Sequence, residues 1–91
     1  MAKIKLFKLR YCGFCREALR YLEDLQNTNP AYRQLDIEII DEAEQRRIAN
    51  AHDYYYVPTF YMDDVKIHEG PVCRADVESI LRRAVEKGRQ S

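Results

Sequence analysis

The sequence has no surplus of charge of either sign: Lys plus Arg and Asp plus Glu each number 15 in a chain of 91 residues. A chain of zero formal charge has no general attraction for phosphate backbones, so a nucleic-acid partner is not expected. It also has no long apolar run. The stretch Met1-Ala2-Lys3-Ile4-Lys5-Leu6-Phe7-Lys8 is broken by lysine at every second or third position, which leaves neither a secretory apolar core nor a membrane span. The expected location is therefore the cytoplasm, with no membrane partner. Cysteine is scarce and odd in number, at three, whereas a secreted disulfide scaffold of this size carries more of them and in pairs. Reactivity, not stapling, is the expected role. Gly and Pro occur three times each and form no linker, and no internal repeat or low-complexity tract is present.

What the chain does have is 46% hydrophobic and 33% charged residues, a mixture that suits a folded globule. Its length fits one domain over residues 1–91, with a core spanning about 3–85, and a monomer is expected. Lys3 to Arg10 alternates like a strand, with a slip at Phe7. Cys15, Ala18, Leu19, Leu22 and Leu25 recur at three- and four-residue steps, the apolar stripe of a helix that starts near Cys12 and stops at Asn29-Pro30. Leu35-Asp36-Ile37-Glu38-Ile39, within Tyr32 to Ile40, reads as a half-buried second strand. Asp41 is placed to cap a second helix running to about His52, with Glu44 reaching back. Val57 to Met62 and Val65 to His68 form a hairpin around Asp63-Asp64, a tight turn without the usual glycine. Val77, Ile80, Leu81, Ala84 and Val85 make the buried face of a last helix, and Glu86 to Ser91 is expected to be a frayed tail. The order β-α-β-α-β-β-α predicts an α/β fold: a mixed four-stranded sheet flanked by three helices.

Chemistry is concentrated in Cys12-Gly13-Phe14-Cys15, where the first strand gives way to the first helix. Two cysteines on a first helical turn can bring their sulfurs within bonding reach, provided that the leading one lies at or just before the helix start. Cys12 would then sit beside unpaired backbone N–H groups at the positive end of the helix, an arrangement that favours thiolate over thiol. Lys8, Arg10 and Arg16, near in sequence, are expected to add positive potential. Cys15, one turn inward on the apolar stripe, would be shielded and suited to attack a mixed disulfide and leave a Cys12–Cys15 bridge.

Tyr11-Cys12-Gly13-Phe14-Cys15 at a strand-to-helix junction and the later Val57-Pro58-Thr59 together resemble thioredoxins and glutaredoxins, over roughly residues 3 to 85. The resemblance implies a thioredoxin fold and thiol–disulfide oxidoreductase activity, with Cys12 and Cys15 as the catalytic pair. It also implies a cis bond before Pro58, which would lie against that pair, with the preceding backbone at Val57 pairing with bound substrate. Proline at the head of a strand lacks a ladder donor, in keeping with an edge, a bulge or a cis turn. The spacer Gly13-Phe14 matches neither the Gly-Pro of thioredoxins nor the Pro-Tyr of glutaredoxins, and no Trp precedes Cys12. Leu6 stands where thioredoxins carry a buried Asp; this and the short length favour the glutaredoxin side. Leu9 replaces a glutaredoxin Lys, and Glu69-Gly70-Pro71-Val72-Cys73 stands where a Gly-Gly pair and a Cys-Asp-like step are usual. Lys8 or Arg10 for the cation and Asp76 for the acid are the candidate substitutes.

The expected substrate site is Tyr11, Gly13, Phe14, Tyr56, Val57, Pro58 and Gly70. The ring of Tyr54, Tyr55 or Tyr56 is a candidate contact for an extended peptide, with core or loop packing as the alternative. Substrates are expected to be protein or low-molecular-weight disulfides, with glutathione a candidate co-substrate, no bound cofactor, and a glutathione or thioredoxin-reductase system as electron source. A competing function for the same cysteines is a binding module or an iron–sulfur or zinc carrier; a structural zinc needs about four ligands, and only Cys73, His52 and His68 remain to complete such a set. Those three are expected to be a helix-start residue and two surface or helix-end histidines.

Overall fold

In the computed structural model, which describes residues 2–89, the chain runs β1 (Lys3–Lys8), α1 (Gly13–Thr28), α2 (Pro30–Arg33), β2 (Asp36–Asp41), α3 (Arg46–Asn50), β3 (Thr59–Met62), β4 (Val65–Glu69) and α4 (Arg74–Arg89). The sheet has four strands in the order β2-β1-β3-β4 and is mixed, as expected. β1 and β2 are parallel, with Lys8 opposite Asp41; β3 is antiparallel to β1, with Phe7 opposite Thr59. Only the first crossover is therefore a parallel one. The helix in the second connection, α3, has five residues and rises only about 7 Å, so it does not run back along a six-residue strand of about 20 Å. The chain from β2 to β3 instead stays at one end of the sheet. That end gathers the last residues of β1 and β2 and the first of β3.

Two apolar clusters fill the two faces. Ile4 and Leu6 of β1 and Phe60 and Met62 of β3 pack with Ala18, Leu22 and Leu25 of α1 and Val77, Ile80, Leu81 and Ala84 of α4. This is the face that the helical stripes predicted, and full burial of each large side chain contributes about 1.5–3 kcal/mol. On the opposite face Phe7, Ile40 and Tyr61 pack under Ala49 and Ile48 of α3, with Tyr54 and Val57 at the margin. The slip at Phe7 now has its explanation: this end of β1 is covered on both sides, so Leu6 and Phe7 are both fully buried.

Several boundaries differ from the sequence expectation. There are four helices, not three: Pro30 stops α1 but also opens α2, where the Asn29 side chain accepts from Ala31 N–H at 3.0 Å and proline needs no donor at N1. Tyr32 is consequently helical and buried, and the second strand begins only at Asp36. β2 is an edge strand, and its alternation breaks at the end, with Ile39 exposed and Ile40 buried against Phe7. Asp41 does cap, accepting from Ala43 N–H at 2.9 Å and Glu44 N–H at 3.3 Å, but it caps a turn; α3 begins later, at Arg46, and ends at Asn50. Glu44 does not reach back and pairs with Arg10. β3 begins at Thr59, two residues after Val57. The hairpin turn has Asp63 and Asp64 at φ of 49° and 66°, a type I′ geometry that aspartate tolerates better than most residues. Residues 86–89 continue α4 instead of fraying, and Gln90 and Ser91 lie outside the described residues. Among the described residues no helix is long and apolar enough to cross a membrane.

Candidate active site

Cys12 is the N-cap of α1, with extended backbone (φ −100°, ψ 115°), and its sulfur takes the place of the oxygen that usually caps a helix. Cys15 N–H donates to Cys12 Sγ at 3.2 Å. No acidic side chain occupies the first turn, so the field of the helix end acts on that sulfur unopposed by its own helix. Neither cysteine is bridged; Cys12 is half-buried and Cys15 is 1% exposed. Burial, then the adjacent Cys12 side chain, push the Cys15 thiol up to about 12, with the Leu9 backbone pulling the other way. The two thiols thus have opposite surroundings. One faces solvent beside backbone donors, and the other is held protonated behind it.

The second wall of the site comes from the segment before β3. Val57–Pro58 is cis, as the resemblance implied, and the Val57 carbonyl accepts from the Cys12 thiol at a donor–acceptor distance of 3.8 Å. Pro58 is buried, and its carbonyl accepts from Gly70 N–H at 2.8 Å. Gly70 has φ of 99°, a backbone region that other residues rarely adopt, which gives this position a reason to be glycine. Tyr54 points inward: its ring lies 4.9 Å from that of Phe7, and its hydroxyl donates to Glu42 at 2.6 Å. Burial, reinforced by that hydrogen bond and the Glu42 charge, raises the Tyr54 hydroxyl well above its ordinary range. Tyr55 and Tyr56 point outward and are exposed, and their N–H groups both donate to the Glu69 carboxylate.

Tyr11 and Phe14 flank the Cys12 thiol in the chain and are exposed, Tyr11 at 89%. With Tyr55 and Tyr56 they make up four of the six large apolar side chains that stand exposed among the described residues, so exposed aromatic surface is concentrated in the two segments that meet at Cys12. A side-chain carbon at Gly13 would meet open space, which leaves the approach over the first turn clear. A cavity of about 410 Å³ adjoins the thiol, lined by Leu9, Arg10, Tyr11, Cys12, Asp41, Ala43 and Glu44.

The expected cations are differently employed. Lys8 pairs with Asp41 at 3.4 Å and Arg10 with Glu44 at 3.2 Å, so two of the three are neutralised beside the site, while Arg16 lies exposed on α1. Burial works against ionised Asp41, but the Ala43 N–H, Lys8 and the Glu44 N–H outweigh it and hold this carboxyl below the usual range. Asp76 accepts from Cys73 N–H at 3.0 Å at the start of α4. Cys73 is exposed. The His52 ring packs against those of both Phe7 and Tyr61, and a His68 ring nitrogen meets the Pro71 carbonyl. These residues complete no ligand set with Cys12 and Cys15: among the described residues no group of three or more His, Cys, Asp or Glu side chains is placed to hold a metal. Sequence reasoning missed Glu42, Tyr54 as its inward partner, and Glu69. The signal was weak, since each is a carboxylate or tyrosine in a polar or aromatic run whose partner lies 12 or more residues away.

Solved structures resemble this arrangement of elements throughout. A thioredoxin from Malassezia sympodialis superposes with a TM-score of 0.76 at 20% identity, over 92% of this chain and 75% of that one. The chain has the thioredoxin fold. Fasciola hepatica thioredoxin gives a TM-score of 0.72 at 17% identity, covering 91% of this chain and 80% of its own, and oxidised thioredoxin from Plasmodium falciparum gives 0.71 at 14%, covering 90% and 79%. No family model and no curated protein matches the sequence. Within the thioredoxin fold, the dithiol stands at the end of the sheet where the β1–α1 junction meets the cis proline.

Proposed function

We propose that the chain is a thiol–disulfide oxidoreductase that reduces protein disulfides presented in extended segments. The observation that carries this reading is the asymmetry of the pair: Cys12 Sγ accepts from the helix N-terminus, while Cys15 waits buried and protonated one turn behind. In the reaction Cys12 thiolate attacks one sulfur of the substrate disulfide, whose other sulfur leaves as a thiolate. Cys15 then loses its proton and attacks Cys12 Sγ of the mixed disulfide. The Cys12–Cys15 bond forms and the second substrate sulfur is released as a thiolate; with the proton given up by Cys15 and one taken from solvent the substrate has gained two electrons and two protons, while the enzyme pair is oxidised. An external dithiol or thiol system restores the pair.

Two features favour a polypeptide over glutathione as the partner in the mixed disulfide. Lys8 and Arg10, the cations nearest to replacing the one glutaredoxins use, already hold Asp41 and Glu44. The exposed rings of Tyr11, Phe14, Tyr55 and Tyr56 offer large contact area with few rotors, which suits apolar side chains on either side of a substrate cysteine. The test is a reduction assay on an insulin-like protein disulfide and on a glutathione mixed disulfide, each run with a glutathione system and with a flavoprotein reductase. The wild type should turn over the protein disulfide, Cys12→Ser should abolish turnover with the fold intact, and Cys15→Ser should accumulate a mixed disulfide. Turnover undiminished in Cys12→Ser would end this reading. Activity confined to the glutathione mixed disulfide would transfer the chain to the glutaredoxin side.

A further inference from the structure

The segment that faces the reactive sulfur is short and has two fixed ends. Tyr54 is anchored by its ring on Phe7 and its hydroxyl on Glu42, and Pro58 is buried and bonded to Gly70. Between them lie Tyr55, Tyr56 and Val57. Val57 packs at the margin of the Phe7 cluster, but Tyr55 and Tyr56 are 86% and 69% exposed, so side-chain packing does little to hold the Tyr55-Tyr56 stretch. Its position comes from polar contacts: Thr59 Oγ1 donates to the Tyr56 carbonyl, and one carboxylate oxygen, Glu69 Oε2, accepts from Tyr55 N–H and from Tyr56 N–H at 2.9 Å.

Glu69 is well built for that grip. It stands at the end of β4 opposite Thr59, its side chain is 18% exposed, and Lys66 Nζ engages its other oxygen at 2.7 Å, leaving Oε2 to the two amides. Lys66 first, then the Tyr55 and Tyr56 N–H groups, hold the carboxyl at about 2, so it stays ionised throughout the working range of a thiol enzyme. It belongs to neither apolar cluster.

We propose that Glu69 is a positioning residue for protein substrates: through the Tyr55 and Tyr56 amides it sets the Val57 carbonyl against Cys12 Sγ, and so the backbone edge on which a substrate strand pairs. The proposal rests on the oxidoreductase reading above. Losing the carboxylate removes two charge-assisted hydrogen bonds one and two residues from Val57, while the helix-capped sulfur keeps its own donor.

The test compares wild type, Glu69→Ala, Glu69→Gln and Lys66→Met on an insulin-like protein disulfide and on a small aromatic disulfide that needs no strand pairing. Glu69→Ala should raise KM for the protein disulfide by about tenfold or more with kcat little changed, since each charged hydrogen bond is worth a substantial part of that factor. Its rate with the small disulfide should stay within about twofold of wild type. Glu69→Gln, which keeps an acceptor oxygen, should fall between, and Lys66→Met should remain near wild type. Amide exchange reads the grip without turnover: the Tyr55 and Tyr56 amides should be protected in wild type and released in Glu69→Ala. Unchanged exchange, an unchanged KM, or equal losses on both disulfides would overturn the proposal. A wild type inactive on both disulfides while the exchange difference holds would sink the oxidoreductase reading and leave the grip standing.

Discussion

Cys15 should be almost inert toward alkylation in the native protein, and the size of that protection follows from its surroundings. Burial and the neighbouring Cys12 move its thiol from an ordinary 9.0 to about 12, so at any pH below 9 the folded chain has about a thousandth of the usual Cys15 thiolate. Burial to 1% exposure also keeps reagent out, so a thousandfold is a lower bound for the folded form. Global opening sets the upper bound: a domain stable by about 5 kcal/mol or more exposes its interior roughly once in several thousand events, which does not mask the effect. The assay is iodoacetamide alkylation at pH 8 followed by peptide mass spectrometry, native against urea-unfolded. Cys15 should react at least about a thousandfold more slowly when folded. In Cys12→Ser most of the protection should persist, because burial is the larger cause and the Cys12 side chain the smaller. A native Cys15 alkylated within tenfold of its unfolded rate, in protein that retains its fold, would refute the argument that this thiol is withheld until a mixed disulfide forms beside it. The same raised value fixes the sign of an alkaline effect. Folded and unfolded chains both hold the Cys15 proton below 9; above it only the folded chain does, so stability should fall by about 1.4 kcal/mol per pH unit toward 12.

Two further outcomes test the supports of the site. Tyr54→Phe removes the hydroxyl that donates to Glu42 and leaves the ring on Phe7; a hydrogen bond to a charged group contributes about 1.5–3 kcal/mol, so the melting temperature should drop by several degrees, and an unchanged melt would show the bond to be idle. Asp41 is held below its ordinary 3.8 when folded, so its contribution is present above that pH and is lost as pH falls through the lowered value. The urea midpoint of the wild type should therefore fall on acidification below about 4, and Asp41→Asn should be less stable at neutral pH and show a shallower acid decline; parallel acid declines in the two proteins would count against the role given to this carboxylate.

How much was legible beforehand differs by element. The α1 and α4 stripes were readable because a helix repeats its buried face every three to four residues, and Ala18, Leu22, Leu25, Val77, Ile80 and Leu81 are all buried as that period requires. The hairpin was readable from two apolar runs around Asp63-Asp64; the structure adds the type of its turn and starts its first strand at Thr59 instead of Val57. α2 was not, and α3 was read as a longer helix starting at Asp41, because each is about one turn long and its bounds depend on what it packs against: Tyr32 enters the main core, and Ala49 covers Phe7. The direction of β3 was similarly hidden, since it follows from the β2–β3 connection staying at one end of the sheet, which no local pattern dictates.

At the site, local sequence determined what local physics can determine. A cysteine just before an apolar helical stripe becomes an N-cap, and a second cysteine three residues on falls into the buried stripe, so the unequal surroundings of Cys12 and Cys15 are written in their spacing. Tertiary structure alone decided everything that pairs residues far apart in the chain. Whether Lys8 and Arg10 are free or spent depends on the parallel register that sets Lys8 opposite Asp41, and whether Tyr54 points in or out depends on Glu42 waiting at the end of β2. Glu69 reaches the Tyr55 and Tyr56 amides only because β4 folds back on β3. Charges and hydrogen-bond partners act through space over a few ångströms, and separations of 12 to 34 residues along the chain leave no periodic trace from which such contacts can be read.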